Sequence, residues 1–371
     1  MAKWTTDELG TFITLKRGYD LPQQKRKDGQ VPIFSSSGIS GRHSDAMVSA
    51  PGVITGRYGT IGQVFFAKED YWPLNTTLYV EDFHGNDAQF MYYFLKTLEW
   101  DKFTSASAVP GINRNTVHKE IVTVPDLETQ RKIVGCLNLL DQRIMTNSRI
   151  NDNLEQQARS YFQELFVDNA DPEWTTGTIS DLGAVVGGST PSKAKPEYYT
   201  ESGIAWITPK DLSINKSKII SHGENDITEL GLKNSSAAIM PEGTVLFSSR
   251  APIGYIAIAA GEVTTNQGFK SVVPKPEIGM PFVYFFLKHN LPVIEGMASG
   301  STFKEVSGST MKNIPAVIPD AETLAQFSDF CAPIFAQQRI LEKQSQLLAS
   351  LRDNLLPKLM SGEIDVSDIQ L

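Results

Sequence analysis

Polar and apolar residues alternate with two different periods along this chain. After Pro125, glycine and proline almost vanish until Pro172. In that stretch, positions 133, 137, 140, 144, 147, 151, 154, 158, 161 and 165 hold Ile, Leu, Leu, Ile, Asn, Asn, Leu, Ala, Tyr and Leu. The steps alternate four and three, which is a heptad seam. It predicts a helix of about 33 residues, roughly 50 Å long at 1.5 Å per residue. A helix of that length needs a partner for its stripe. Ile334, Leu341, Leu348, Leu351 and Leu355 lie along a similar seam near the other end of the chain, with Pro333 expected in that helix's first turn. The amides of Asn147, Asn151, Gln337 and Gln344 lie on the two seams. They either sit inside and fix the register, or the seam shifts to Ile150 and Leu347 and they face water. Elsewhere short β-branched runs bounded by Gly, Ser and Pro predict strands, at Gly52–Thr55, Gln63–Phe66, Gly243–Phe247 and Tyr255–Ala259. Residues 90–98 and 281–290 predict helices packed on a sheet.

The same succession of elements occurs twice. Trp4-Thr5-Thr6 returns as Trp174-Thr175-Thr176. Phe90-Met91-Tyr92-Tyr93-Phe94-Leu95-Lys96 returns as Phe282-Val283-Tyr284-Phe285-Phe286-Leu287-Lys288. Val124-Pro125-Asp126 returns as Ile318-Pro319-Asp320, and Arg57 is answered by Arg250. From 4 to 174 is 170 positions and from 90 to 282 is 192, so the second copy carries about 22 more residues between those points. Two copies imply two similar lobes. The fold class expected is α+β: two mixed α/β domains, at residues 1–125 and 171–319, and two long helices, at 126–170 and 320–371. An approximate two-fold axis between the copies would set the helices antiparallel as a coiled coil, with a lobe at each end.

A chain of 371 residues suits two domains. No stretch reaches the roughly 18–20 apolar residues of a membrane span. The opening Met1–Asp7 has no apolar run, so no secretory signal is expected. Two cysteines, Cys136 and Cys331, make a disulfide framework improbable and fit a reducing cytoplasm. The net charge of −8 argues against a polyanionic partner unless cations cluster locally, as they do at Lys16-Arg17 and Lys25-Arg26-Lys27. No phosphate-binding loop, dinucleotide fingerprint, Asn/Asp-Pro-Pro-aromatic tetrapeptide or zinc spacing occurs. Pro125-Asp126-x-Glu128 and Pro319-Asp320-x-Glu322 could suggest a metal nuclease. Both lack the accompanying lysine and stand where the long helices begin, so helix capping is the preferred reading.

Several of these segments resemble the specificity (S) subunit of type I restriction–modification systems. Arg57-Tyr58-Gly59-Thr60-Ile61-Gly62 and Leu74-Asn75-Thr76-Thr77-Leu78-Tyr79 resemble the core of its target-recognition domain. Gly111-Ile112-Asn113-Arg114 and the run from Val124 through Gln130, Ile133, Leu137, Asp141 and Ile144 resemble the exit into its spacer helix. Leu355-Leu356-Pro357-Lys358-Leu359-Met360-Ser361-Gly362-Glu363-Ile364 resembles its ending. The second copy departs from the pattern, with Thr264-Thr265-Asn266-Gln267-Gly268 in place of Asn-Thr-Thr and Leu324 in place of Gln130.

The resemblance implies a non-catalytic, cytoplasmic subunit that reads a bipartite, asymmetric site on double-stranded DNA, one half per lobe. It implies two methyltransferase (M) subunits and restriction/translocase (R) subunits as partners. S-adenosylmethionine, ATP and Mg would belong to those partners, with no cofactor in this chain. Arginine suits guanine, Asn and Gln suit adenine, and Lys, Ser and Thr more often hold phosphates. On that chemistry the candidates for DNA contact are Lys25, Arg26, Lys27, Arg42, Arg57, Tyr58 and Arg114 in the first lobe. In the second they are Thr208, Lys210, Ser249, Arg250, Asn266, Gln267 and Lys304. Arg57 and Arg250 could instead hold their turns through ion pairs, and Trp4 and Trp174 suit a core better than a stacking platform. The alternative is a two-lobed tethering protein that binds protein or carbohydrate.

Overall fold

The computed structural model describes residues 3–104, 110–300 and 304–369. Met1 and Ala2 of the opening segment lie outside them. The chain forms two compact units, Met1–Met145 with Gln346–Leu371, and Thr146–Ser345. The division falls within both long helices, so each unit is a mixed α/β body that also holds half of each helix.

In the first unit a four-stranded sheet has the order Thr14–Arg17, Thr77–Asp82, Gly52–Gly56, Val64–Ala67. In the second unit Gly183–Gly187, Lys270–Pro274, Val245–Ser249 and Ile253–Ala259 take the same order, and Ile219–Ile220 adds a fifth strand. Each unit has a smaller sheet in which a parallel pair recurs: Ile33↔Trp72 in the first, Trp206↔Thr264 in the second. An antiparallel pair closes each body, Trp4–Glu8 on Ile121–Pro125 and Thr175–Thr178 on Pro315–Ile318. The repeat seen in the sequence is therefore a repeat of topology. The surplus of the second copy lies largely between Ile204–Ile207 and Asn225–Ile227. A Ser36-Ser37 turn serves there in the first copy; residues 208–224 serve in the second, forming the helix Pro209–Ile214 and the added strand.

The central strands Gly52–Gly56 and Val245–Ser249 are buried along their whole length. Val245 and Phe247 face the core that includes Phe282, Phe285 and Phe286 of the helix Met280–His289. Leu246 faces the core that includes Ala205, Ile207 and Leu212. A strand covered on both faces reads as a continuous apolar run, and each large side chain so buried contributes about 1.5–3 kcal/mol.

The long helices run Leu127–Gln163 and Ala321–Met360. The first has 37 residues against about 33 expected, and a π-helical turn, Glu164–Asp168, follows it. Asp126 and Asp320 cap them. Asp126 accepts the N–H groups of Thr129 (3.0 Å) and Lys3 (2.8 Å). Asp320 accepts the N–H and hydroxyl of Thr323 (2.8 Å each) and the indole N–H of Trp174 (2.9 Å). These hydrogen bonds hold both carboxyls below the ordinary carboxylate range.

In each unit the helix halves pack antiparallel. In the first, Arg352 pairs with Asp141 at 2.7 Å, and Lys132 donates to the carbonyl of Ser367 at 2.7 Å. In the second, Asn147 donates to Gln344 (3.0 Å) and Ser345 (3.2 Å), and Gln338 to the carbonyl of Asn151 (3.1 Å). Asn147 is fully buried while Ile150 and Leu347 are exposed, so Asn147, Asn151 and Gln344 lie in the seam; Gln337 is corrected, since it is exposed and the neighbouring Gln338 takes the buried position. Two further expectations are corrected. Pro333 lies in the interior of its helix, because that helix starts twelve residues earlier at the Asp320 cap. It stands on the exposed face, where the freed carbonyl of Asp329 meets water. Leu351 is exposed, since Arg352 takes the inward position through Asp141. No helix among the described residues is long and apolar enough to cross a membrane, and Cys136 and Cys331 are free thiols.

Candidate nucleic-acid interface

The second unit has a cleft of about 680 Å³ between its main and smaller sheets. Five of the seven candidate residues of this unit line it: Thr208, Lys210, Arg250, Asn266 and Gln267. They arrive from three places. Arg250 follows the central strand, and the adjacent Ala251 takes a left-handed backbone (φ 50°), strained for a residue with a Cβ. Asn266 and Gln267 form the turn before Lys270–Pro274, where the Asn266 side chain accepts the N–H of Gly268 at 2.8 Å. Thr208 and Lys210 begin the surplus helix Pro209–Ile214.

Local contacts change what some of these groups can do. Thr208 is a helix cap in a capping box with Asp211, and its hydroxyl donates to that carboxylate at 2.6 Å. Lys210 pairs with Glu224 at 2.6 Å, which raises its pKa. Arg250 pairs with Glu305 at 3.6 Å, as the ion-pair reading of the turn expected. Ser249 is corrected: it is wholly buried at the end of the central strand and donates to the carbonyl of Gly268 (3.1 Å), so it presents nothing to a ligand. Lys304 is exposed beside Glu305 and is not among the residues lining the cleft.

Lys193 and Thr190 line the cleft too, though neither was a candidate. Their loop is pinned by two aromatic side chains of the cleft. Trp206 donates its indole N–H to the carbonyl of Ser189 (3.0 Å), and Tyr199 its hydroxyl to that of Pro191 (2.6 Å). Burial raises the Tyr199 pKa, so it stays a donor. The sequence signal was present in Gly187-Gly188 followed by a Thr-Pro-Ser-Lys turn, but the first copy has no such turn to compare. Among the described residues Lys193 has no ion-pair partner, which leaves its charge free for an anion.

In the first unit the candidates form two groups. Lys25 and Lys27 are exposed, and Arg26 lies against Gly41 of the strand Gly38–His43. Lys27 is tied to that strand through its N–H to His43 (3.0 Å), and Arg42 reaches the Gln30 carbonyl and Glu69 (3.8 Å). The second group is Arg57 and Tyr58; Arg114 is held instead at the strand Thr14–Arg17, donating to the Leu15 carbonyl at 3.5 Å. The Arg57 guanidinium lies 4.6 Å over the Tyr58 ring and donates to the Ile112 carbonyl at 3.4 Å. Among the described residues it has no carboxylate partner, so the ion-pair reading fails for Arg57. Asn75-Thr76-Thr77 supports this turn, since the N–H groups of Arg57 (2.9 Å) and Tyr58 (3.2 Å) donate to the Thr76 carbonyl. In the second unit Ser249 N–H donates to the Gly268 carbonyl at 2.7 Å in the same role. Trp4 is half-buried against its core, and Trp174 is half-buried beside Phe166 with its indole N–H held by Asp320.

Comparison with known proteins agrees with the duplicated fold. The type I restriction modification DNA specificity domain matches residues 1–156 and again 172–359. The MjaIX specificity subunit of Methanocaldococcus jannaschii is 40% identical over 191 residues, a match that covers 49% of this chain and 44% of that protein. The HindI specificity subunit of Haemophilus influenzae is 24% identical over 357 residues, covering 74% of this chain and 77% of that protein. Among solved structures, the type I restriction–modification S subunit of M. genitalium shares the fold, with a TM-score of 0.61 at 18% identity over 96% of both chains. These relatives lend nothing to the tethering alternative. With both halves matched, the chain belongs to the type I restriction modification DNA specificity family.

Proposed function

We propose that this chain is the sequence-reading and scaffold subunit of a type I restriction–modification complex. The observation that carries the reading is the duplication: two units of one topology present unlike side chains at corresponding turns, Arg57-Tyr58 in one and Arg250 with Asn266-Gln267 in the other. Two unlike readers call for a bipartite, asymmetric site on double-stranded DNA. Cations and amides on loops at strand ends suit base edges and phosphates. The net charge of −8 then belongs to the rest of the surface, with the polyanion met by local cations.

The chain acts without chemistry of its own, in the cytoplasm, and recruits two methyltransferase subunits, which R subunits join for restriction. S-adenosylmethionine, ATP and Mg serve on those partners. Apolar side chains left outside the seams support docking on the long helices: Leu139, Met145, Leu347 and Leu351 in the first unit, Ile150 and Ile340 in the second. The test is a DNA titration of the methyltransferase subunit with and without this chain at several salt concentrations. Binding that discriminates between sequences and weakens steeply with salt must appear only when the chain is present. Equal binding without it refutes the proposal.

A further inference from the structure

The surplus segment of the second unit has a function at both of its ends. At one end, Thr208–Asp211 forms a wall of the cleft. At the other, Lys218 enters the space between the main sheet and the long helices of the same unit, where it is 8% exposed. Its ammonium group donates to Glu155 (2.8 Å) and Gln338 (2.9 Å) and stands 3.2 Å from the centre of the Phe335 ring. Its own N–H and that of Ile219 donate to the carboxylate of Glu342 at 2.8 and 3.2 Å. Glu155 lies on the first long helix; Gln338, Glu342 and Phe335 lie on the second. A single side chain thus ties the cleft wall to both helices.

A buried ammonium group is a costly way to fasten a loop. An apolar side chain of similar size would bury as much surface without the desolvation penalty. A lysine adds direction, because its donors meet fixed acceptors, whereas an apolar anchor can slide along the helix grooves. The first unit turns its corresponding strands through Ser36-Ser37 and has no counterpart of this segment.

We propose that Lys218 is a positioning residue that sets the cleft wall of the second unit and thereby the base preference of the half-site this unit reads. The inference rests on the DNA-reading function proposed above. Its test is the methylated motif written in cells by the full chain with its methyltransferase subunit, compared for the unaltered chain, Lys218→Met and Lys218→Arg. Lys218→Met lowers the preference for the correct base about tenfold in one half-site, the order of a single mismatch, and leaves the other half sharp. Lys218→Arg, which keeps the charge, restores that preference. Glu342→Ala frees the two N–H groups but keeps the Lys218–Glu155 pair, and it relaxes the same half, so it decides the matter if Lys218→Met does not fold. Both half-sites staying sharp in Lys218→Met and Glu342→Ala overturns the proposal. So does an equal loss in both halves that Lys218→Arg fails to rescue, which marks a purely stabilising role. An unaltered chain that yields no chain-dependent motif refutes DNA reading itself, a separate result.

Discussion

Glu155→Gln tests the electrostatics that hold the second unit together. The Glu155 carboxylate accepts Lys218 (2.8 Å), Lys288 (2.6 Å) and the Tyr284 hydroxyl (3.1 Å). Burial alone would raise its pKa, but the two lysines outweigh burial and bring it from 4.5 down to about 2. The folded state therefore binds this proton less readily than the unfolded chain. The stabilisation is fully present above the unfolded value near 4.5 and is lost as pH falls through about 2. A shift of that size corresponds to a stabilisation on the order of 3 kcal/mol on the carboxylate's side. Burial takes the Lys218 pKa from 10.5 down to about 8 and offsets it within the pair, so the loss on removing Glu155 is that of leaving the buried lysine unpaired. That loss is the roughly 3–5 kcal/mol expected when one partner of a buried ion pair is removed. Urea unfolding at pH 7 must show Glu155→Gln less stable by about 3 kcal/mol. Between pH 5 and 2 the unaltered protein must lose stability more steeply with acid than the variant does. A loss below about 1 kcal/mol at pH 7, or identical acid slopes, refutes the assignment of this carboxylate as the counter-ion of a buried lysine.

Arg57→Ala removes a guanidinium that no carboxylate among the described residues neutralises, so site-specific binding weakens by about 1–3 kcal/mol, confined to one half-site, as binding to sites altered in either half will show. Lys193→Ala weakens binding to all sequences alike and reduces the slope of log affinity against log salt by about one. Asp126→Ala and Asp320→Ala each cost about 1 kcal/mol in urea unfolding through loss of a helix cap, without changing the DNA sequence preferred.

The long helices and the repeat were legible because each has a period or a copy to compare. Steps of four and three put Ile133, Leu137, Asn147 and Ala158 on one buried face, and the acids before each helix marked its start. Pro333 misled because proline is commonest in a first turn, while an exposed helix face tolerates it further in. Ser249 misled for a different reason. A strand half exposed would have pointed alternate residues outward, but Val245–Ser249 is covered on both faces, so a serine at its end is as buried as its neighbours. The surplus segment was detectable only as a difference in length. It has no counterpart in the first copy, so neither the Thr208 cap nor the role of Lys218 could be read by comparing the copies. Partners such as Glu305 for Arg250 and Glu224 for Lys210 are distant in the chain, and only the fold brings them together.

The central claim is that each unit reads its own half of a split DNA site. Its most direct test is methylated-base mapping of DNA from cells that express this chain with its methyltransferase subunit, repeated after residues 174–319 are exchanged for those of a relative with another target. The account predicts a bipartite motif that requires the chain, and a change in one half only after the exchange. A motif that is present without the chain, or both halves changing together, would contradict it.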